Sequence, residues 1–172
     1  MRRISIIQGE SAVVSEPGTV ITTLLGSCVS VCLHDSIAHV GGMNHFLLGE
    51  PSPEKKLTLQ DMQHYGIHAM ELLINALMKK GAARPRLRAH IYGGATIIAG
   101  LGGIGSSNAS FARSFMEMEG IAVGHVDVGG THARKVEFQP YEGKARSTPV
   151  NDRPPIAVLL QPAVTGGELE LF

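Results

Sequence analysis

The sequence predicts a mixed α/β fold, and three observations predict it. Short apolar, β-branched-rich runs bounded by Gly, Pro, Asn and Asp recur through the first 48 residues and again after residue 86. Between these regions the apolar period changes to that of a helix, with Met62, Ala69, Leu73, Ala76 and Leu77 on one broad stripe beside Met70 and Ile74. Glycine pairs at Gly41-Gly42, Gly93-Gly94 and Gly129-Gly130 punctuate the strand-like runs. The 172 residues suit one domain, 1–172, with 151–172 as a tail that either adds an edge strand or stays loose.

In chain order, Ile4–Ile7 reads as a first strand, interrupted at Gly9-Glu10-Ser11 and resumed at Ala12–Val14. Pro17-Gly18 is a turn signal, and Thr19–Leu25 is the next strand. In Val29–Leu33, strand alternation puts Val29, Val31 and Leu33 on one face and Cys28, Ser30 and Cys32 on the other. Val40–Leu48 makes a further strand, and the proline-bearing stretch Glu50–Thr58 a surface loop of the kind through which substrates enter. The helix ends on Lys79-Lys80 and stops at Gly81, with Gly66 as a local weakness. Leu87–Tyr92 is a strand. A second helix capped by Ser107 or Asn108 runs to about Glu119, turning Phe111, Phe115 and Met118 inward, with Gly120 as its stop. Ile121–Val128 and Ala133–Phe138 alternate as strands, and a hairpin turn at Tyr141–Lys144 leads to a partner strand ending near Val150.

Acidic and basic residues balance at 15 each, which argues against a nucleic-acid binder with its basic face. The cluster Arg84-Pro85-Arg86-Leu87-Arg88 reads as a solvated loop and strand start. Cys28 and Cys32, four apart on one strand, would lie about 13 Å apart. A disulfide needs Cα atoms within about 7 Å, so they are read as unpaired. Unpaired cysteines, no signal peptide and no membrane-length apolar run lead us to expect a cytoplasmic protein.

The stretch Thr22–His45 carries the candidate chemistry. Two neighbouring strands would bring its ends together, and with them a cysteine, a histidine and a threonine, the minimum set for nucleophilic attack on a carbonyl. Taken singly, each residue has a plainer reading. Cys28 reads as a small buried hydrophobe, Cys32 as core and His45 as a strand end. Ser27 is a rival nucleophile without a G-x-S-x-G elbow. Thr22 and Thr23 fall on opposite faces, so one of them at most can serve. His64 and His68 have the i, i+4 spacing of metal ligands but no third partner. The glycine pairs lack the G-K-[ST] of a phosphate loop and read as packing or a substrate wall. Arg134, beyond Gly129-Gly130, reads as a residue meeting an acidic partner surface.

Two motifs, T-x-L-L-G-S-C-V-S-V from Thr22 and G-G-M-N-H ending at His45, resemble the CheD family of chemoreceptor glutamine deamidases. His64-Tyr65, Ile91-Tyr92-Gly93-Gly94-Ala95, Ile104-Gly105 with Asn108, and Asp127-Val128-Gly129-Gly130 with Arg134 keep the family's order, so the resemblance covers roughly Ile4–Val150. Ser36 departs from the family's frequent proline, and the segment from Asn151 is longer than the family's. The resemblance implies a three-layered α-β-β sandwich of the YfiH-like, toxin-deamidase kind. It implies Cys28 as nucleophile, His45 as general base and acid, and Thr22 as third member, with Gly26, Ser27, Asn44, Gly93 and Gly94 around the substrate. The Cys28 N–H, at the turn made by Gly26-Ser27, is the expected oxyanion donor. The implied substrates are chemoreceptors, approached at the membrane only through the receptor, without cofactor or metal. A CheC-type response-regulator phosphatase is an implied second partner, and a non-catalytic regulatory role towards it is the alternative function.

Overall fold

A computed structural model describes residues 1–48, 58–97 and 103–150 of the chain. The expected loop Glu50–Thr58 and the tail from 151 therefore lie almost wholly outside the described residues.

Nine strands and two helices follow in the order β1 (Arg2–Ser5), β2 (Ser11–Val14), β3 (Thr19–Leu25), β4 (Val29–Asp35), β5 (Val40–Asn44), α1 (Leu59–Lys79), β6 (Arg88–Gly93), α2 (Ile104–Glu119), β7 (Ala122–Val128), β8 (Arg134–Gln139) and β9 (Lys144–Pro149) among the described residues. The strands form a four-stranded sheet, β1-β3-β8-β9, and a five-stranded sheet, β2-β5-β4-β6-β7. Pairing is antiparallel except for β1 with β3 and β6 with β7.

The alternation of β4 builds two cores. Val29, Val31 and Leu33 join Met70, Leu73, Ile74 and Leu77 of α1 and Ala112, Phe115 and Met116 of α2 in one cluster. Cys32 and, at its margin, Cys28 join Ile21, Leu25, Val136 and Phe138 of the four-stranded sheet in the other. The five-stranded sheet thus has helices on one face and the second sheet on the other, which is the expected α-β-β layering.

Side chains cap the start of α1, and backbone N–H groups close both helices at their C-termini. Thr58 and Asp61 form a reciprocal capping box at the start of α1. Gly120, in the left-handed conformation, closes α2. Three expectations are corrected here. α2 starts at Ile104, ahead of the proposed caps, which leaves Asn108 inside the helix with its side chain available for other bonds. Met118 is 78% exposed, and Met116 takes the inward place. Gly66 is a packing requirement: a Cβ there would stand 2.6 Å from the Phe111 ring and 2.8 Å from Leu48, so glycine lets α2 approach α1.

The arginine cluster after α1 is engaged within the fold. Arg84 bonds Glu71 and Glu119. Arg86 grips the buried Asp35, which also accepts the N–H groups of Ile37, Ala38 and Ala83. Burial alone would raise the Asp35 carboxyl, but Arg86 and the three N–H groups outweigh it and hold it well below the usual range.

Candidate active site

The nucleophile loop lies between β3 and β4, and its carbonyls are held in succession. Gly26 O accepts from Ala95 N at 3.0 Å, Ser27 O from Asn108 Nδ2 at 2.8 Å, and Cys28 O from Gly94 N at 2.8 Å. Gly93 and Gly94 therefore form a backbone platform behind the cysteine. A Cβ on Gly93 would sit 2.2 Å from Cys28 O, and its φ of 112° also demands glycine. Their place is structural support behind the cysteine, the packing role among those expected of them. Arg134 locks this platform by donating to Gly93 O and Gly129 O, each at 2.7 Å. It is 8% exposed, so its expected role against a partner surface is replaced by that of an internal clamp.

His45 follows β5. The Val29–Phe46 bridge continues the β4–β5 register of Cys32 with Met43. Cys28 and His45 are then diagonal neighbours, a relation that spaces Cα atoms by roughly 7–8 Å in an antiparallel pair. Both side chains face the space between the sheets: Cys28 packs at the edge of the inter-sheet cluster, and His45 Nδ1 meets Thr23 of the opposing sheet. Cys28 is partly exposed, whereas Cys32 is sealed and its thiol is pushed up by burial.

The threonine on His45 is Thr23. Its Oγ1 lies 2.7 Å from His45 Nδ1 and donates its hydrogen to Ile6 O, also at 2.7 Å. Thr22 corrects the resemblance-based choice. It pairs in register with Ser5 and Glu137 and shares the outward parity of Leu24, which is 60% exposed, whereas Ile21, Thr23 and Leu25 are buried inward.

A hydroxyl carries one hydrogen. Because Thr23 gives it to Ile6 O, the bond to the imidazole runs from Nδ1–H to Oγ1, and the Nε2 lone pair is left for proton transfer. Burial pushes His45 down to about 4, against a smaller upward pull from Glu10, so the ring is neutral at pH 7.

Asn44 also moves from its expected role. It is 3% exposed, with Oδ1 accepting from Val31 N at 2.9 Å and Nδ2 reaching Met70 Sδ at 3.5 Å. Its carbonyl takes the Ser30 hydroxyl at 2.6 Å. The side chain replaces a ladder bond, loosening the β4–β5 pair just before His45 and ending the strand earlier than expected. One neighbour was not anticipated: Gln8 Oε1 lies 3.7 Å from Cys28 Sγ. A cavity of about 260 Å³ runs from Gln8, Gly9 and His45 to Tyr65, His68 and Leu72 of α1.

A thiol, a neutral imidazole and a hydroxyl collected between two sheets are the parts of a cysteine hydrolase. Comparison with known proteins makes the assignment particular. The family described as CheD, chemotactic sensory transduction, matches residues 47–148. A Zymomonas mobilis protein named "Probable chemoreceptor glutamine deamidase CheD" is 47% identical, across 99% of this chain and 93% of its own length. An Agrobacterium fabrum protein of the same name is 51% identical, across 87% of this chain and 81% of its own length. The chain belongs to the CheD family. Among solved structures, Bacillus licheniformis YfiH aligns at 14% identity with a TM-score of 0.45, across 69% of this chain and 49% of that one. Among the described residues no helix is long and apolar enough to cross a membrane.

Proposed function

We propose that this chain is a protein-glutamine deamidase that converts glutamine side chains of chemoreceptor cytoplasmic helices to glutamate. The observation that carries the reading is the contact of His45 Nδ1 with Thr23 Oγ1, a hydroxyl that also meets Ile6 O, on the same face as a partly exposed cysteine. Family membership supports the substrate class.

In this mechanism His45 Nε2 takes the Cys28 proton as the sulfur adds to the glutamine amide carbon. The carbonyl π pair moves onto oxygen, giving a tetrahedral oxyanion. The C–N bond then breaks, His45 returns its proton to the leaving nitrogen, and ammonia departs from a Cys28 thioester. Water, deprotonated by His45, attacks the thioester and releases glutamate and thiol. Asn108 contributes orientation. It holds Ser27 O, and a trans peptide points the Cys28 N–H the opposite way, away from Asn108; in this reading that N–H is the oxyanion donor.

The cavity beside His45 supplies the approach. Tyr65 and Leu72, each 54% exposed, lie seven residues apart on one face of α1 and form an apolar wall for side chains flanking the target glutamine. With a receptor cytoplasmic domain as substrate this reading puts the activity in the cytoplasm, and in it a CheC-type partner would use other surface.

The test is incubation with a purified receptor cytoplasmic domain, followed by peptide mass mapping of glutamine sites. Conversion to glutamate by the wild-type protein and none by Cys28→Ala is expected. Equal conversion by both would end the reading.

A further inference from the structure

Gln8 is a side chain at the sulfur that the mechanism leaves unused. It occupies a closed turn, Ile7–Glu10, in which Glu10 N donates to Ile7 O at 2.9 Å and Glu10 Oε1 accepts from Ile7 N at 3.0 Å. Gly9, at φ 89°, supplies the positive φ that the third position of a type II turn requires. Both flanks of the turn are tied to the catalytic groups themselves. Thr23 Oγ1 donates to Ile6 O, Gly9 N donates to His45 O at 2.8 Å, and His45 N donates to Glu10 O at 3.1 Å. The turn is thus positioned relative to the imidazole, and it projects the Gln8 amide onto Cys28, whose thiol donates to Oε1 across 3.7 Å. Gln8 also borders the cavity that meets His45. Its side chain is exposed and fills no core, so packing does not account for its placement.

Building on the deamidase reading, we propose that Gln8 is a catalytic residue whose side-chain amide donates through Nε2–H to the oxyanion formed when Cys28 adds to the substrate. An amide group carries an acceptor and two donors on one planar end. In the resting site its oxygen faces the S–H. Once His45 has taken that proton, the sulfur is an acceptor, and a half-turn about the soft terminal torsion brings the NH₂ group round. As the S–C bond forms, the displaced π pair sits on an oxygen two bonds from Sγ, within the shell that the Gln8 amide already occupies. Gln8 then complements the Cys28 N–H as the second donor, and no net proton is exchanged with it.

The experiment compares wild type, Gln8→Ala and Gln8→Glu on the receptor cytoplasmic domain, with chloroacetamide alkylation of Cys28 measured alongside. Alkylation displaces chloride at saturated carbon and forms no oxyanion, so it reads the nucleophile alone. Losing one oxyanion donor should lower kcat by about 10²–10³-fold with KM little changed, while the alkylation rate of Gln8→Ala stays near that of wild type. Gln8→Glu should regain rate relative to Gln8→Ala as pH falls and its carboxyl becomes an O–H donor. Wild-type kcat in Gln8→Ala overturns the proposal. So does an equal fall in alkylation, which would place Gln8 on the nucleophile instead, or conversion of Gln8 itself to glutamate in peptide maps of the enzyme. A wild-type protein inactive on receptor would defeat the deamidase reading itself, an outcome distinct from these.

Discussion

Thr23 Oγ1 stands 2.7 Å from His45 Nδ1 and spends its single hydrogen on Ile6 O. That relationship determines which imidazole nitrogen is protonated, and so which one can act as base. It also joins the two sheets at the site, because Thr23 belongs to β3 and His45 follows β5.

Removing that hydroxyl should therefore impair catalysis without unfolding the protein. Thr23→Val is expected to lower kcat by roughly 10–100-fold, the range for losing a group that orients a histidine. Thr23→Ser should retain most activity, and Thr22→Val should be near neutral. Steady-state deamidation of a receptor domain measures all three, and loss in Thr22→Val with none in Thr23→Val would reverse the assignment.

His45, pushed down to about 4 by burial, has two pH consequences. The acid limb of kcat/KM should fall near pH 4, well below the ordinary histidine value of about 6.5. Stability should also decline on acidification between those values. There the unfolded chain binds a proton that the folded one refuses, so stability rises with pH, by about 3 kcal/mol in full. Denaturant titrations of wild type and His45→Asn across this window check the sign, since the variant should lose that slope.

Gly93 supports the nucleophile loop at a distance that admits no side chain. Gly93→Ala puts a Cβ 2.2 Å from Cys28 O at a φ of 112°. A cost of about 1–3 kcal/mol is expected from the backbone alone, with activity falling further than stability because Cys28 must move. Thermal unfolding and deamidation measured together separate the two effects.

The apolar wall of α1 should act on binding. Leu72 is exposed, so Leu72→Glu should leave stability within about 0.5 kcal/mol. It should raise the KM for receptor several-fold while kcat holds. An unchanged KM would remove this face from the substrate path.

Much of this was legible in the sequence, for identifiable reasons. The β4 alternation showed which face Cys28 and Cys32 share, because a period of two leaves no ambiguity once one face is apolar. The α1 stripe was legible because its apolar residues recur at the helical period, and its stop because Gly81 follows the basic last turn. What escaped depended on contacts distant in sequence. Thr22 and Thr23 are equivalent in composition, and only the β3–β8 register shows which faces inward. Arg134 reads as a surface charge until the carbonyls of Gly93 and Gly129 are seen around it. Asn108 reads as a cap because nothing local shows Ser27 O above it. Gln8 drew no reading because its placement comes from a turn tied to His45, thirty-seven residues away.

The most direct test of the central claim, a neutral His45 that presents a bare Nε2 to Cys28, is a ¹⁵N NMR titration of the imidazole in the intact protein. The account predicts an Nδ1–H tautomer at neutral pH and protonation only near pH 4. An Nε2–H tautomer, or a ring already charged at neutral pH, would contradict it.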